Sequence, residues 1–148
     1  MTGYEKSPDY GSDPSGWRWI IVIALAWVII GAGVIYARAM PECGSGQRIN
    51  CVVDGDTVWI DGEKIRLLNV DAPEIGQADC RAEPQRGIAA RDRMVALTKG
   101  RPEIIRDGKD RYGRTLAKVR FGGRDVGEAL IATGHARRWT GQKSDWCQ

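Results

Sequence analysis

Residues 49–74 read INCVVDGDTVWIDGEKIRLLNVDAPE, and the spacing of their apolar side chains decides the fold class. Ile49 to Val53 is a short apolar run, stopped by the turn signal Asp54-Gly55-Asp56. Thr57 to Ile60 is rich in β-formers, Asp61-Gly62 is a two-residue hairpin signal, and Lys64 to Val70 returns as the next strand. In that strand the apolar phase slips. Ile65 and Leu67 are in step; Leu68 and Val70 are in step with each other but offset by one. A single bulge at Leu67–Leu68 lets all four face the core. It also sets Arg66, Asn69 and Asp71 together on the outer face, where strict alternation separates Arg66 from Asp71. The apolar pattern therefore predicts a cation and a carboxylate on one surface.

Downstream, a polar loop runs through Cys80. Gln85 to Thr98 is read as a helix with Ala90, Met94 and Leu97 on one face, joined by Ile88 and Val95, and ended by Gly100. Glu103 to Arg106 and Thr115 to Phe121 are strands, the second closed by Gly122-Gly123. Asp125 can cap a last helix that carries Val126, Ala129, Leu130 and Thr133 on one side and stops at Gly134. Five short strands with two or three helices are mainly β in class, with α+β content. They suit a small five-stranded Greek-key barrel of the OB type over residues 48–148.

Upstream the composition changes. Residues 1–18 are rich in Gly, Ser, Pro and Asp and read as a disordered tail; residues 38–47 read as a linker. Between them, Trp19 to Ala37 carries no charge and is bracketed by Arg18 and Arg38. As a helix it spans about 28 Å, against a hydrocarbon core of roughly 30 Å. It is expected to be a transmembrane signal anchor, or a signal peptide cut after Ala37-Arg38-Ala39. Residues 1–40 hold three basic side chains (Lys6, Arg18, Arg38) and three acidic ones (Glu5, Asp9, Asp13), so the net charge of +3 sits in residues 41–148. Such a mild excess is compatible with a polyanionic partner without specifying one.

All four cysteines (Cys43, Cys51, Cys80, Cys147) follow the apolar segment. An even count on one side points to an oxidising compartment: a domain outside the cytoplasm, membrane-anchored, or secreted if the segment is cleaved. The spacing does not resemble a zinc site, since no CxxC occurs and the one histidine is His135, expected to be structural or solvent-facing. Three disulfide pairings are possible. Cys43–Cys51 with Cys80–Cys147 is expected, the first because it is local and the second because it ties the tail to the loop after the acidic turn.

The acidic turns carry chemistry. Carboxylates at strand ends, Asp56 and Asp71 with Glu74, can hold a hard cation through oxygen. Ala72 precedes Pro73 and is pushed toward extended geometry, which suits its carbonyl as a ligand. Calcium fits such a mixed oxygen set. Arg66 and Arg114 supply the guanidinium groups that grip phosphate oxygens and stay charged at any working pH. Taken together, VVDGDTV, IRLLNVDAPE, DRYGR and VGEALIATGHA appear in the order found in the staphylococcal-nuclease-like (thermonuclease) family. This chain resembles that family across residues 48–139.

The resemblance implies metal ligation by Asp56, Asp71 and the Ala72 carbonyl, a catalytic Glu74, and phosphate-binding, catalytic arginines at Arg66 and Arg114. It implies a calcium-dependent nuclease acting on single-stranded DNA and RNA and leaving 3′-phosphate products. No obligate protein partner is implied. Arg111, Tyr112, Arg137 and Arg138 are candidate nucleic-acid contacts, with Trp139 as a stacking platform. Two departures stand out. Alanine replaces the threonine common at position 72, and the lysine-rich loop of the best-known member becomes Gly76-Gln77-Ala78-Asp79-Cys80. The competing expectation is a non-catalytic OB-type nucleic-acid-binding domain, or a membrane-tethered interaction module.

Overall fold

Along residues 115–121 every second side chain is buried: Thr115, Ala117, Val119 and Phe121. That alternation makes the segment the central strand of the sheet, buried on one face only. The structure, a computed structural model, describes residues 20–23 and 38–148. In chain order the elements are β1 (Cys51–Val52), β2 (Thr57–Ile60), β3 (Glu63–Leu67), β4 (Val70–Asp71), α1 (Glu83–Leu97), β5 (Pro102–Lys109), β6 (Thr115–Phe121), β7 (Arg124–Asp125), α2 (Val126–Ala132) and β8 (Arg137–Arg138).

The strands run β1-β2-β3-β6-β5, with β7 on β6, and β4 pairs with β8 in a separate two-stranded ribbon. Neighbours are antiparallel except β3 and β6, which are parallel with Ile65 beside Thr115 and Arg66 beside Leu116. This is a mixed α+β architecture built on a curled sheet, as expected of an OB-type fold. The β2–β3 hairpin turns at Asp61 and Gly62, both with positive φ, as a tight two-residue connection requires. Val52, Val58, Ile60, Ile65, Leu67, Val119 and Leu130 form the core with Ala90 and Met94 of α1.

The phase slip after β3 is larger than a single bulge. β3 stops at Leu67, Leu68 and Asn69 turn, and β4 starts at Val70. Asn69 takes φ 59°, a left-handed conformation that asparagine tolerates. Ile65, Leu67 and Val70 are buried, but Leu68 is only half-buried. The reason is long-range: the Leu68 amide goes to the Ala117 carbonyl, while the Asn69 carbonyl accepts the Trp139 amide. β4 thus leaves the main sheet to pair with β8. Asp71 is consequently buried at 3% exposure, not set on the outer face beside Arg66.

Helix α1 begins two residues before the expected Gln85, with proline in its first turn. Its buried face is Glu83, Gly87, Ala90, Met94 and Leu97, and Ile88 is exposed where the core had been expected to take it. Helix α2 starts as read, with Asp125 accepting the Glu128 amide at 3.1 Å. Cys43 is bonded to Cys51 and Cys80 to Cys147.

Most of the expected membrane segment, residues 24–37, and the expected tail, 1–18, lie outside the described residues. Residues 20–23 are helical. Among the described residues no helix is long and apolar enough to cross a membrane.

Candidate active site

Two glycines let the acidic turns approach each other. A Cβ on Gly55 would lie 2.7 Å from the Cβ atoms of both Ala72 and Ala90, so the Asp54-Gly55-Asp56 turn is wedged between the 72–74 loop and α1. A Cβ on Gly87 would meet the Pro73 carbonyl and the Ile75 side chain at 2.9 Å. Helix α1 is therefore pressed against the loop that carries Glu74.

Asp56 is buried at this junction. Its Oδ1 accepts from Thr57 Oγ1 at 2.8 Å and from Arg66 Nη1 at 2.7 Å, and its Oδ2 faces the Ala72 amide at 3.4 Å. Arg66 is thus paired with the buried Asp56 and not with Asp71. Burial pushes the Asp56 carboxyl up to about 7, reinforced by the charge of Asp54, and Arg66 offsets this only in part. Asp54, whose Oδ1 accepts the Asp56 amide at 3.1 Å, is a member of the site that the motif reading passed over. Its signal was the first half of Asp-Gly-Asp, read there as a turn.

Glu74 is half-buried. Burial raises its carboxyl, Asp54 adds to the rise, and Lys143 and Arg66 oppose it. These four side chains therefore feel one another across the site. The Glu74 amide donates to Glu83 Oε1 at 3.0 Å and the Asp79 amide to Glu83 Oε2 at 2.6 Å. Against its own burial, those two amides and Lys143 hold the Glu83 carboxyl below the usual range. Glu83 and Lys143, 3.1 Å apart, are structural members of the site with no sequence signal short of the fold.

Asp71 is held by other partners. Its Oδ2 accepts from the Ser144 amide at 2.9 Å and from Trp146 Nε1 at 3.1 Å. Arg114 sits just before β6, and its Nε donates to Asp110 Oδ2 at 2.6 Å. Burial would raise Asp110, but hydrogen bonds from the Arg114 side chain and from the Arg114 and Tyr112 amides hold it low. Since Leu116 is the partner of Arg66 across β3 and β6, Arg114 lies one pleat away along the same strand pair. Tyr112 is exposed between the guanidinium groups of Arg111 and Arg114, at 4.8 and 5.4 Å from its ring centroid.

The other nucleic-acid candidates are not gathered there. Arg137 covers the Trp146 ring at 4.4 Å and donates to the Asp145 carbonyl, and Arg138 pairs with Glu128 at 2.8 Å. Trp139 is 41% exposed. The His135 ring meets Thr133 Oγ1 at 3.0 Å.

Among the described residues, no three histidine, cysteine or acidic side chains converge as a ready-made metal cluster. The donor chemistry nonetheless suits a hard cation. The carboxylates of Asp56 and Asp71 and the Ala72 carbonyl are all oxygen donors, and Asp56 is a buried acid whose neighbours leave its charge undercompensated.

The family described as staphylococcal nuclease homologue matches residues 64–146. Over 130 residues the chain is 32% identical to a thermonuclease of Staphylococcus intermedius, an alignment covering 80% of this chain and 77% of that protein. It is 39% identical over 118 residues to the succinoglycan biosynthesis protein ExoI of Rhizobium meliloti, covering 72% of this chain and 61% of that protein. It is 33% identical over 92 residues to endonuclease YncB of Bacillus subtilis, covering 57% of this chain and 44% of that protein. The chain belongs to the staphylococcal nuclease homologue family.

Proposed function

We propose that this chain is a calcium-dependent nuclease that hydrolyses phosphodiester bonds of DNA and RNA and leaves 3′-phosphate products. The observation that carries the reading is the contact of Asp56 with Arg66 at 2.7 Å beside the Ala72 backbone, in a family whose relatives include thermonucleases and an endonuclease. It joins a metal-type acid to a phosphate-type cation at one junction.

In this reading Asp56, Asp71 and the Ala72 carbonyl hold the cation, which supplies charge neutralisation at the scissile phosphate. Arg66 and Arg114 bind the nonbridging oxygens and stabilise charge that develops on them. Glu74 accepts a proton from the attacking water, or orients that water, while the bond from phosphorus to the 5′ oxygen breaks and that oxygen, assisted by Arg114, leaves as a hydroxyl. The substrate lies across the face bearing Arg66, Tyr112 and Arg114, where Tyr112 is exposed to an open strand. Both disulfides favour a domain outside the cytoplasm, tethered through residues 19–37 or released if they are cleaved.

A binding module without catalysis is the alternative. It is favoured by the engagement of Asp71 with Ser144 and Trp146 inside the chain, which occupies one oxygen of a carboxylate that the catalytic reading needs. The deciding experiment incubates the oxidised full chain with single-stranded DNA in calcium, in magnesium and in chelator, beside Arg66→Ala. Calcium-dependent cutting that the variant loses is the expected result. A folded protein that binds DNA but never cuts it leaves the binding module.

A further inference from the structure

Residues 143–147 form a strap that reaches both acidic parts of the site. The Ser144 amide and the Trp146 indole N–H both donate to one oxygen, Asp71 Oδ2. Lys143 Nζ pairs with Glu83, and Glu83 accepts the amide of Glu74. The strap is held from outside as well. Arg137 stacks on the Trp146 ring, Arg86 donates to the Trp146 carbonyl, and Cys147 is bonded to Cys80. Trp146 is 5% exposed, so its indole N–H must find an acceptor inside the protein. The acceptor it finds is a carboxylate, itself buried at 3% exposure, rather than a backbone carbonyl. Among the described residues no hydrogen bond reaches the other oxygen, Oδ1.

We propose that this strap is a positioning element for the candidate site. Trp146 and Ser144 fix Asp71 through Oδ2 and leave Oδ1 as the oxygen available to a cation, and the Cys80–Cys147 bond keeps the strap in place. Partners that orient a ligating carboxylate are worth a factor of about 10–100 in metal affinity or activity when removed. The inference rests on the cation-dependent reading above and adds Trp146, Ser144 and the disulfide to it as residues acting through Asp71.

The test titrates calcium into the oxidised full chain by calorimetry, and measures kcat and KM on single-stranded DNA at saturating calcium. Trp146→Phe keeps an aromatic ring to lie under Arg137 and removes the N–H together with the five-membered part of the indole. It is expected to weaken calcium binding about tenfold or more while the KM for DNA holds. Cys147→Ser is expected to act in the same direction. Replacing Cys43 and Cys51 together by serine, away from Asp71, is expected to leave calcium affinity unchanged. If Trp146→Phe does not fold, Ser144→Pro removes the other donor to the same oxygen and takes its place. A wild type that binds calcium and cuts DNA, with a folded strap variant that matches it in calcium affinity, overturns the positioning role alone. A wild type that neither binds calcium nor cuts DNA overturns the nuclease reading and the strap's role with it.

Discussion

Among the described residues Arg66 makes one short contact, to Asp56 Oδ1, and its remaining donors can serve a phosphate. A planar guanidinium can bridge the acid and an incoming oxygen together; an ammonium is a point donor and cannot span both. Arg66→Lys is therefore expected to keep the fold and lower kcat/KM on single-stranded DNA by about 10²–10³-fold, the usual effect of removing a preorganised donor to developing charge. Steady-state kinetics check it, and a wild-type value would remove Arg66 from transition-state binding. Glu74→Gln retains shape while losing the proton acceptor. It is expected to leave calcium affinity nearly intact and lower kcat by about 10²–10⁴-fold. Single-turnover cleavage separates that loss from any change in product release.

Elements hold these residues through close packing and through ion-pair crosslinks, of which one joins β3 to β5. Gly55 lies where any Cβ collides with Ala72 and Ala90, both buried and unable to yield. Gly55→Ala is expected to destabilise the protein by about 1–3 kcal/mol, as overpacking does, and to force the Asp56 turn away from Ala72. Urea unfolding at pH 7 measures it. The crosslink is Glu63 on β3, which takes hydrogen bonds from Arg106 on β5 and from Thr115 at the start of β6. The Arg106 and Thr115 hydrogen bonds hold the Glu63 carboxyl down at about 2. A folded-state value below the unfolded one means its contribution is full above the ordinary glutamate range, and is lost as pH falls through about 2. The stability gap between wild type and Glu63→Gln is expected to be widest near neutral pH and to narrow as pH drops below about 4.5. A gap that stays constant down to acid pH would show that Glu63 acts by packing alone. The same elements show what the sequence could reveal. β2 and β6 were legible because period-2 alternation is a local property, and the start of α2 because Asp125 caps it locally. The break at Leu68–Asn69 was not, since it is decided by backbone hydrogen bonds to Ala117 and Trp139, far along the chain. The burial of Asp71 was hidden for the same reason, because its partners Ser144 and Trp146 are more than seventy residues away.

At the scale of the whole molecule, two covalent bonds close loops of very different size. Cys43 and Cys51 are 8 residues apart, and Cys80 and Cys147 are 67. Loop-closure entropy then predicts losses of about 2.5 and about 4.4 kcal/mol on removing the short and the long bond. Denaturant unfolding of the two serine double variants, each against wild type, checks the order; a larger loss from the short bond would reverse it. The cysteine pattern made these pairs plausible from sequence, but the role of the tail became visible only once Trp146 and Lys143 were seen against Asp71 and Glu83. One feature of the sheet reaches further still. β3 and β6 are parallel neighbours, and β4, α1 and β5 all lie between them in the chain. β3, which carries Arg66, and β6, which Arg114 precedes, pair only when this crossover closes, and such long-range pairing is slow because ordering entropy is spent before contact is made. On the proposed reading, catalytic competence is a late event in refolding. It should return with the final kinetic phase and not with the burst of secondary structure, so on that reading a chain not yet fully folded is harmless to the nucleic acid of the cell that makes it.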